Sequence, residues 1–304
     1  MNLAMIGLGK MGANMVRRLV RDGHHVIAYD VDLKNATELA AEHHNVTAVS
    51  SLEQLVNDLA TPRVIWLMVP HQYVDQSIES LNDAGMSSGD LLVDGGNSNF
   101  NQSMQRAEYL HSMGIHFVDS GTSGGVWGLE NGYSIMAGGS DEAIDILRPV
   151  LESLAPAKDT GWGHVGPAGA GHYVKMVHNG IEYGMMQAYA EGFEMLDAKR
   201  EMALDLQQIS RIWQHGSVVR SWLLDLIADS LADDKTLSAL SDYVEDSGEG
   251  RWTVQDSIDL GVPTPVLTLA LQMRFRSRQD PSFGGKVINA MRAGFGGHNI
   301  KSSE

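Results

Sequence analysis

Through the first half of the chain, short apolar runs alternate with stretches whose apolar residues recur at helical spacing. LAMIG, HVIAYD, VIWLMV, LLVDGG and IHFVD are rich in Val, Ile and Leu and bounded by Gly, Asp or Pro. They read as strands buried on both faces. Between them, residues 10–22 and a stretch beginning at Leu33 place their apolar side chains along one stripe, as amphipathic helices do. This alternation predicts an α/β fold, a doubly wound parallel sheet. After AGG at 137–139 the pattern gives one more amphipathic helix over 141–154, and then KDTGWGHVGPAGAG at 158–171, dense in glycine, marks a candidate boundary. Beyond it, period-two alternation disappears. Residues 176–200, 204–215, 221–231 and a segment after Pro265 carry helical periodicity, which predicts an all-α second domain. The expected division is 1–166 and 167–304.

Composition narrows the function classes. The 304 residues are 43% hydrophobic and 20% charged, enough for two domains with sizeable cores. A formal net charge of −16 argues against sequence-independent nucleic-acid binding and against an anionic membrane surface, both of which need a basic face. Any phosphate must therefore meet a basic pocket built locally. The absence of cysteine excludes disulfides, thiolate nucleophiles and thiolate zinc sites, and is compatible with a cytoplasmic location. MNLAMIGLG runs straight into a strand and a glycine turn, so no removable leader is expected, and no stretch has the length of apolar sequence that a membrane span requires.

Gly7, Gly9 and Gly12 form G-x-G-x-x-G directly after an apolar strand and directly before a helix. In that context the first glycine permits a tight turn, the second lets the backbone approach a pyrophosphate, and the third allows close helix packing. The helix N-terminus then offers N–H groups and a positive dipole end to the phosphates. The loop Gly7, Leu8, Gly9, Lys10, Met11 and Gly12 is thus the candidate dinucleotide seat of a Rossmann-type domain. Asp30 closes the second strand, where such folds present a carboxylate to the adenosine ribose. With Asp32 close behind, a 2′-phosphate would be repelled, so NAD is expected over NADP; Lys34 is the one cation nearby. Val69 and Pro70 end the fourth strand at the crevice edge, where cofactor contact and simple packing are equally open readings.

In KMVHNGIE, Lys175, His178, Asn179 and Glu182 fall at i, i+3, i+4 and i+7, so all four project from one helix face. Gly180, Gly184, Ala188 and Gly192 recur every four residues and would let another helix approach closely, which places this helix centrally. An unpaired buried ammonium is costly, so a lysine here implies a partner or a site. The same stripe also reads as a solvated face with His178 as a satisfied core histidine. A metal held by His178 and Glu182 is disfavoured, because an ammonium beside it opposes a dication and no third ligand follows from spacing.

GLGKMG, VDGGNS, SGTSGG and KMVHNGIEYGMMQ together resemble the 6-phosphogluconate dehydrogenases, within the wider β-hydroxyacid dehydrogenase superfamily, over nearly the whole chain. The resemblance implies that Lys175 is the general base at the C3 hydroxyl while hydride passes from C3 to a nicotinamide. It makes Glu182 the acid that protonates C1 of the enediol left by CO2 departure, with Asn179 and His178 orienting the substrate. It implies Asn97, Ser123, Gly124 and Gly125 as substrate-binding loops near the nicotinamide, with Asn97 also touching the cofactor, and Tyr183 and Arg274 as phosphate contacts. Arg292 and His298 resemble a tail pair that reaches the active site of a neighbouring subunit, which makes the protein an obligate homodimer or homotetramer with shared sites; the same glycine-rich tail also reads as an ordinary chain end. No metal is required.

Three departures stand out: the second helical unit of longer members is absent, Val126 and Trp127 replace the acidic residues usual after SGG, and Ser247 in EDSGEGRW stands where NADP-dependent members carry a lysine. The reading that follows is NAD-linked oxidative decarboxylation of a phosphorylated sugar acid, 6-phosphogluconate, in the pentose phosphate route. A β-hydroxyacid dehydrogenase acting on a small non-phosphorylated acid, and a non-catalytic NAD and sugar-phosphate sensor, are the competing readings. Retention of both Lys175 and Glu182 argues against the sensor.

Overall fold

The computed structural model describes residues 1–296, with side chains described as far as Arg292. From the N-terminus, β1 (Asn2–Ile6), α1 (Lys10–Arg21), β2 (His25–Tyr29), α2 (Leu33–Glu42), β3 (Val46–Ala48), α3 (Leu52–Asp58), β4 (Val64–Leu67), α4 (Val74–Asp83), β5 (Leu91–Asp94), α5 (Phe100–Ser112) and β6 (His116–Ser123) alternate strand with helix. A short α6 (Gly128–Asn131), β7 (Ser134–Gly139), α7 (Asp141–Leu154) and β8 (Trp162–Gly166) complete one eight-stranded sheet of order β3-β2-β1-β4-β5-β6-β7-β8. The expected doubly wound sheet is present, with β1 to β6 mutually parallel.

Two strands depart from the expectation. β7 pairs antiparallel with β6, because the link between them holds only a 3₁₀ turn and the four residues of α6, too short for a parallel crossover. β8, which follows the full helix α7, pairs parallel with β7 and lies inside the glycine-rich stretch that the sequence pattern treats as a boundary.

Successive residues along each strand face opposite sides of the sheet. Leu3, Met5, Val26, Trp66, Val93 and Val118 pack under α1 and α7, whereas Ala4, Ile65, Leu67, Leu92 and Phe117 pack under α3, α4 and α5. Strand register places Tyr29, Ile6, Leu67, Asp94, Asp119, Gly138 and Gly166 in one transverse row. The segments bearing most of the candidate site residues leave the sheet at or just beyond this row, at the carboxyl ends of the parallel strands, where open α/β sheets bind ligands.

α8 (Ala170–Ala198) is one continuous helix, and by compactness the chain divides inside it, between Asn179 and Gly180. The second unit continues with α9 (Leu206–Trp213), α10 (Trp222–Asp233), α11 (Glu249–Asp259), α12 (Pro265–Ser277) and α13 (Phe283–Gly296). The small-residue spacing works as expected at Gly180 and Gly184: a Cβ on Gly180 would stand 2.7 Å from Thr253 Cγ2, and one on Gly184 3.2 Å from Leu267. Tyr183, Ala270 and Leu271 form the buried centre, with Val254 and Phe275 against it. Among the described residues, no helix is long and apolar enough to cross a membrane.

Candidate active site

The glycine turn is held by its own backbone. Gly7 has φ +92, and a Cβ on Gly12 would lie 2.0 Å from Gly7 O, so neither position accepts a side chain without moving the turn. Gly9 has open space around its Cα and precedes α1 with no side-chain cap, which leaves the first N–H groups of the helix available to a ligand. Leu8 turns its side chain into the core, Met11 is half-buried, and Lys10 is exposed. These features fit a dinucleotide pyrophosphate. Asp30 does two things at once: its Oδ2 accepts the Leu8 N–H at 2.6 Å and its Oδ1 accepts the Asp32 N–H at 2.9 Å. Asp32 caps α2, and the Lys34 ammonium lies 3.6 Å from Glu38. Val69 is half-buried with its carbonyl against Gly96, whereas Pro70 is exposed ahead of a 3₁₀ turn.

A related device, a carboxylate on or at the end of a strand accepting backbone N–H groups, recurs twice more. Asp94, fully buried at the end of β5, accepts the Gly96 N–H at 3.1 Å, the Ser98 hydroxyl at 2.7 Å and Arg106 Nη1 at 3.0 Å. It thereby fixes the turn that carries the exposed Asn97. Asp119 in β6 accepts the Gly169 N–H at 2.6 Å and the His172 N–H at 2.7 Å, capping the start of α8. Burial holds the Asp119 carboxyl above the ordinary carboxylate range, against the opposing pull of His172 and the amide donors. Sequence reasoning passed over both aspartates, although each stands in an apolar strand directly before or near glycine, a signal that was available. The cap also explains why α8 begins at Ala170, more than a turn before the expected start at Met176.

Beyond the row, Ser123, Gly124 and Gly125 end β6 in a turn with φ +125 at Gly124. Val126 and Trp127 follow, both exposed, with the Val126 carbonyl 3.4 Å from the Asn14 amide nitrogen. On α8, Lys175 is only 7% exposed, and its ammonium donates to Asn179 Oδ1 at 2.7 Å. His178 Nδ1 reaches the same oxygen at 3.0 Å. Glu182, half-buried, continues the face along the helix into the second unit. No group of three His, Asp or Glu side chains among the described residues is arranged to hold a metal ion.

Within the second unit, the Arg274 guanidinium stacks 3.5 Å from the Tyr183 ring centroid and donates to Glu245 O at 2.7 Å. The Tyr183 hydroxyl accepts the Ser247 N–H at 3.2 Å, so Tyr183, Arg274 and the Ser247 loop converge. Beside them, Arg251 and Arg278 hold the Asp246 carboxyl down to about 2. Arg292 lies exposed on α13, and His298 falls outside the described residues.

The family model for the NAD binding domain of 6-phosphogluconate dehydrogenase matches residues 2–165, and the model for its C-terminal domain matches 171–283. The chain is 42% identical to the NAD(+)-dependent, decarboxylating 6-phosphogluconate dehydrogenase of Haloferax volcanii, over 99% of this chain and 98% of that one. It is 37% identical to the NADP(+)-dependent, decarboxylating enzyme of Bacillus subtilis, over 90% of this chain but only 61% of the longer relative. Among solved structures, Plasmodium falciparum 6-phosphogluconate dehydrogenase, known with its cofactor NADP+ and its substrate 6-phosphogluconate, superposes with a TM-score of 0.83 at 28% identity, covering all of this chain and 66% of that one. The chain belongs to the 6-phosphogluconate dehydrogenase family.

Proposed function

We propose that the protein catalyses oxidative decarboxylation of 6-phosphogluconate to ribulose 5-phosphate and CO2, with NAD as its preferred oxidant. The observation that carries the reading is the buried Lys175 ammonium, fixed on Asn179 Oδ1 in a chain of this family. When bound, the dinucleotide supplies the hydride acceptor; Gly7 to Gly12 would seat its pyrophosphate and Asp30 its ribose. Coenzyme choice is assigned to Asp30, supported by the NAD(+)-dependent relative and by Lys34 lying beside Glu38.

Lys175 acts as the base at the C3 hydroxyl. Asn179 Oδ1 holds its nitrogen in place at 2.7 Å. Once protonated, Lys175 donates to the new C3 ketone, which polarises the carbonyl and lets the β-keto acid lose CO2. Glu182 then delivers a proton to C1 of the enediol. Asn97, Ser123, Gly124, Gly125 and His178 orient the sugar acid, while Tyr183 and Arg274 receive its phosphate; Arg292 and His298 are assigned as the tail pair that enters the site of a neighbouring subunit. Residues 1–166 serve the cofactor, and 167–304 serve substrate and assembly. Self-association as a homodimer or homotetramer, and a cytoplasmic location, belong to the same proposal. The exposed apolar side chains Ile181, Met185, Leu269 and Met273 on α8 and α12 support the former, and the cysteine-free sequence the latter.

The test is NADH formation from 6-phosphogluconate and NAD, run beside NADP at equal concentration with CO2 trapped. Stoichiometric CO2 with faster NAD reduction is expected. Oxidation without CO2 of a small hydroxyacid, and none of 6-phosphogluconate, would replace the reading with the simpler dehydrogenase.

A further inference from the structure

The base assigned above sits on a helix whose first turn is tied to two other parts of the sheet unit by a buried chain of hydrogen bonds. His172, 2% exposed and one turn before Lys175, places Nδ1 2.7 Å from Ser103 Oγ on α5 and 3.9 Å from Asp119 Oδ2 on β6. Ser103 is itself fully buried, and its hydroxyl lies 3.3 Å from Asn99 O, the carbonyl of the α5 cap two residues after Asn97. Asp119 grips the Gly169 and His172 amides, while a Cβ on Gly121, on the same face of β6, would lie 2.4 Å from Lys175 Cβ and 2.5 Å from Gly171 O. The strand therefore touches the lysine stem and the helix start together. His172 Nε2, in contrast, is buried with no hydrogen-bond partner among the described residues.

We propose that Asp119, His172 and Ser103 form a positioning unit that locks Lys175 to the Asn97 turn and to the strand leading into the Ser123 loop. None of the three is assigned to touch substrate; each acts through the placement of Lys175. The unit works through Nδ1 of His172, and Nε2 takes no part. The proposal rests on Lys175 being the base, and the experiment separates the two.

His172→Asn retains a side-chain polar atom where Nδ1 stands and removes the far side of the ring; His172→Leu keeps bulk and removes the hydrogen bond. Ser103→Ala removes the same bond from its other end. The expected kcat with 6-phosphogluconate falls about tenfold in His172→Leu and Ser103→Ala, in the range of one lost buried hydrogen bond, and stays within about threefold of wild type in His172→Asn. The KM for NAD stays within about twofold in all three. In parallel, the rate at which an acylating reagent modifies Lys175 at pH 8, read by mass spectrometry without substrate, should change several-fold in His172→Leu and Ser103→Ala and be preserved in His172→Asn. Wild-type kcat and labelling in His172→Leu would overturn the proposal, as would an Asn variant as impaired as the Leu variant, which would leave only space filling. If the wild-type protein does not turn over 6-phosphogluconate, the functional reading fails, and the labelling series alone decides whether Lys175 is held in this way.

Discussion

The turn at Gly7–Gly12 and the start of α8 are both helix N-termini at the edge of one sheet, yet they are held by opposite means. At the first, the constraint is local: Gly12 meets Gly7 O within the same loop, and the one carboxylate involved, Asp30, comes from the neighbouring strand and grips Leu8. At the second, the constraint is remote: Asp119, Ser103 and Gly121 reach residues 169–175 from β6 and α5. The local turn uses the Gly7 and Leu8 N–H groups but leaves the first turn of α1 without a side-chain cap, whereas the remote one has two of its N–H groups taken by Asp119. One helix start is left open and the other is a mount.

The largest effect that tests this contrast is at the mounted lysine. Lys175→Met should lower kcat by about a thousandfold or more with NAD affinity unchanged, and Glu182→Gln by about a hundredfold, both read by stopped-flow NADH formation and isothermal titration with NAD. Near-normal turnover in either would remove the role given to it. Next, Gly121→Ala forces β6 and α8 apart at a backbone contact. It should cut kcat roughly tenfold or more and lower Tm, because the obstructing Gly171 O cannot swing away.

Gly9→Ala makes the opposite division. Gly9 has φ −60 and nothing within 4 Å, so Tm should be unchanged while Kd for NAD rises about tenfold, the methyl standing in the pyrophosphate's approach. A fall in Tm without loss of NAD affinity would make the turn structural after all. The smallest effect is expected at Asp30→Ala, whose kcat/KM with NAD should fall several-fold while the NADP to NAD ratio rises, part of the loss coming from the released Leu8 N–H. An unchanged ratio would place coenzyme choice elsewhere.

The same contrast explains what could be read from residues alone. The glycine turn, the position of Asp30 at a strand end and the shared helix of Lys175, His178, Asn179 and Glu182 are legible because placement rests on spacing of a few residues. The first turn of α8 was not. Gly169 and Gly171 look like linker, and only a carboxylate far upstream makes them the mouth of a helix. β7 and β8 escaped for a related reason: SIMAGG and WGHVG have too few β-branched residues to announce strands, and their place is set by pairing at the sheet edge. Arg274 and Tyr183 were each singled out by resemblance, but that one stacks on the other is a tertiary fact.

The transverse row from Tyr29 to Gly166 carries a last implication. With Asp94 and Asp119 in the row and Asp30 immediately after it each already holding backbone N–H groups, the crevice floor is tied by hydrogen bonds within the protein itself. Association then spends little entropy on ordering loops, so ligands here should bind fast to a preformed surface, with affinity differences between analogues expressed mainly in how quickly they leave.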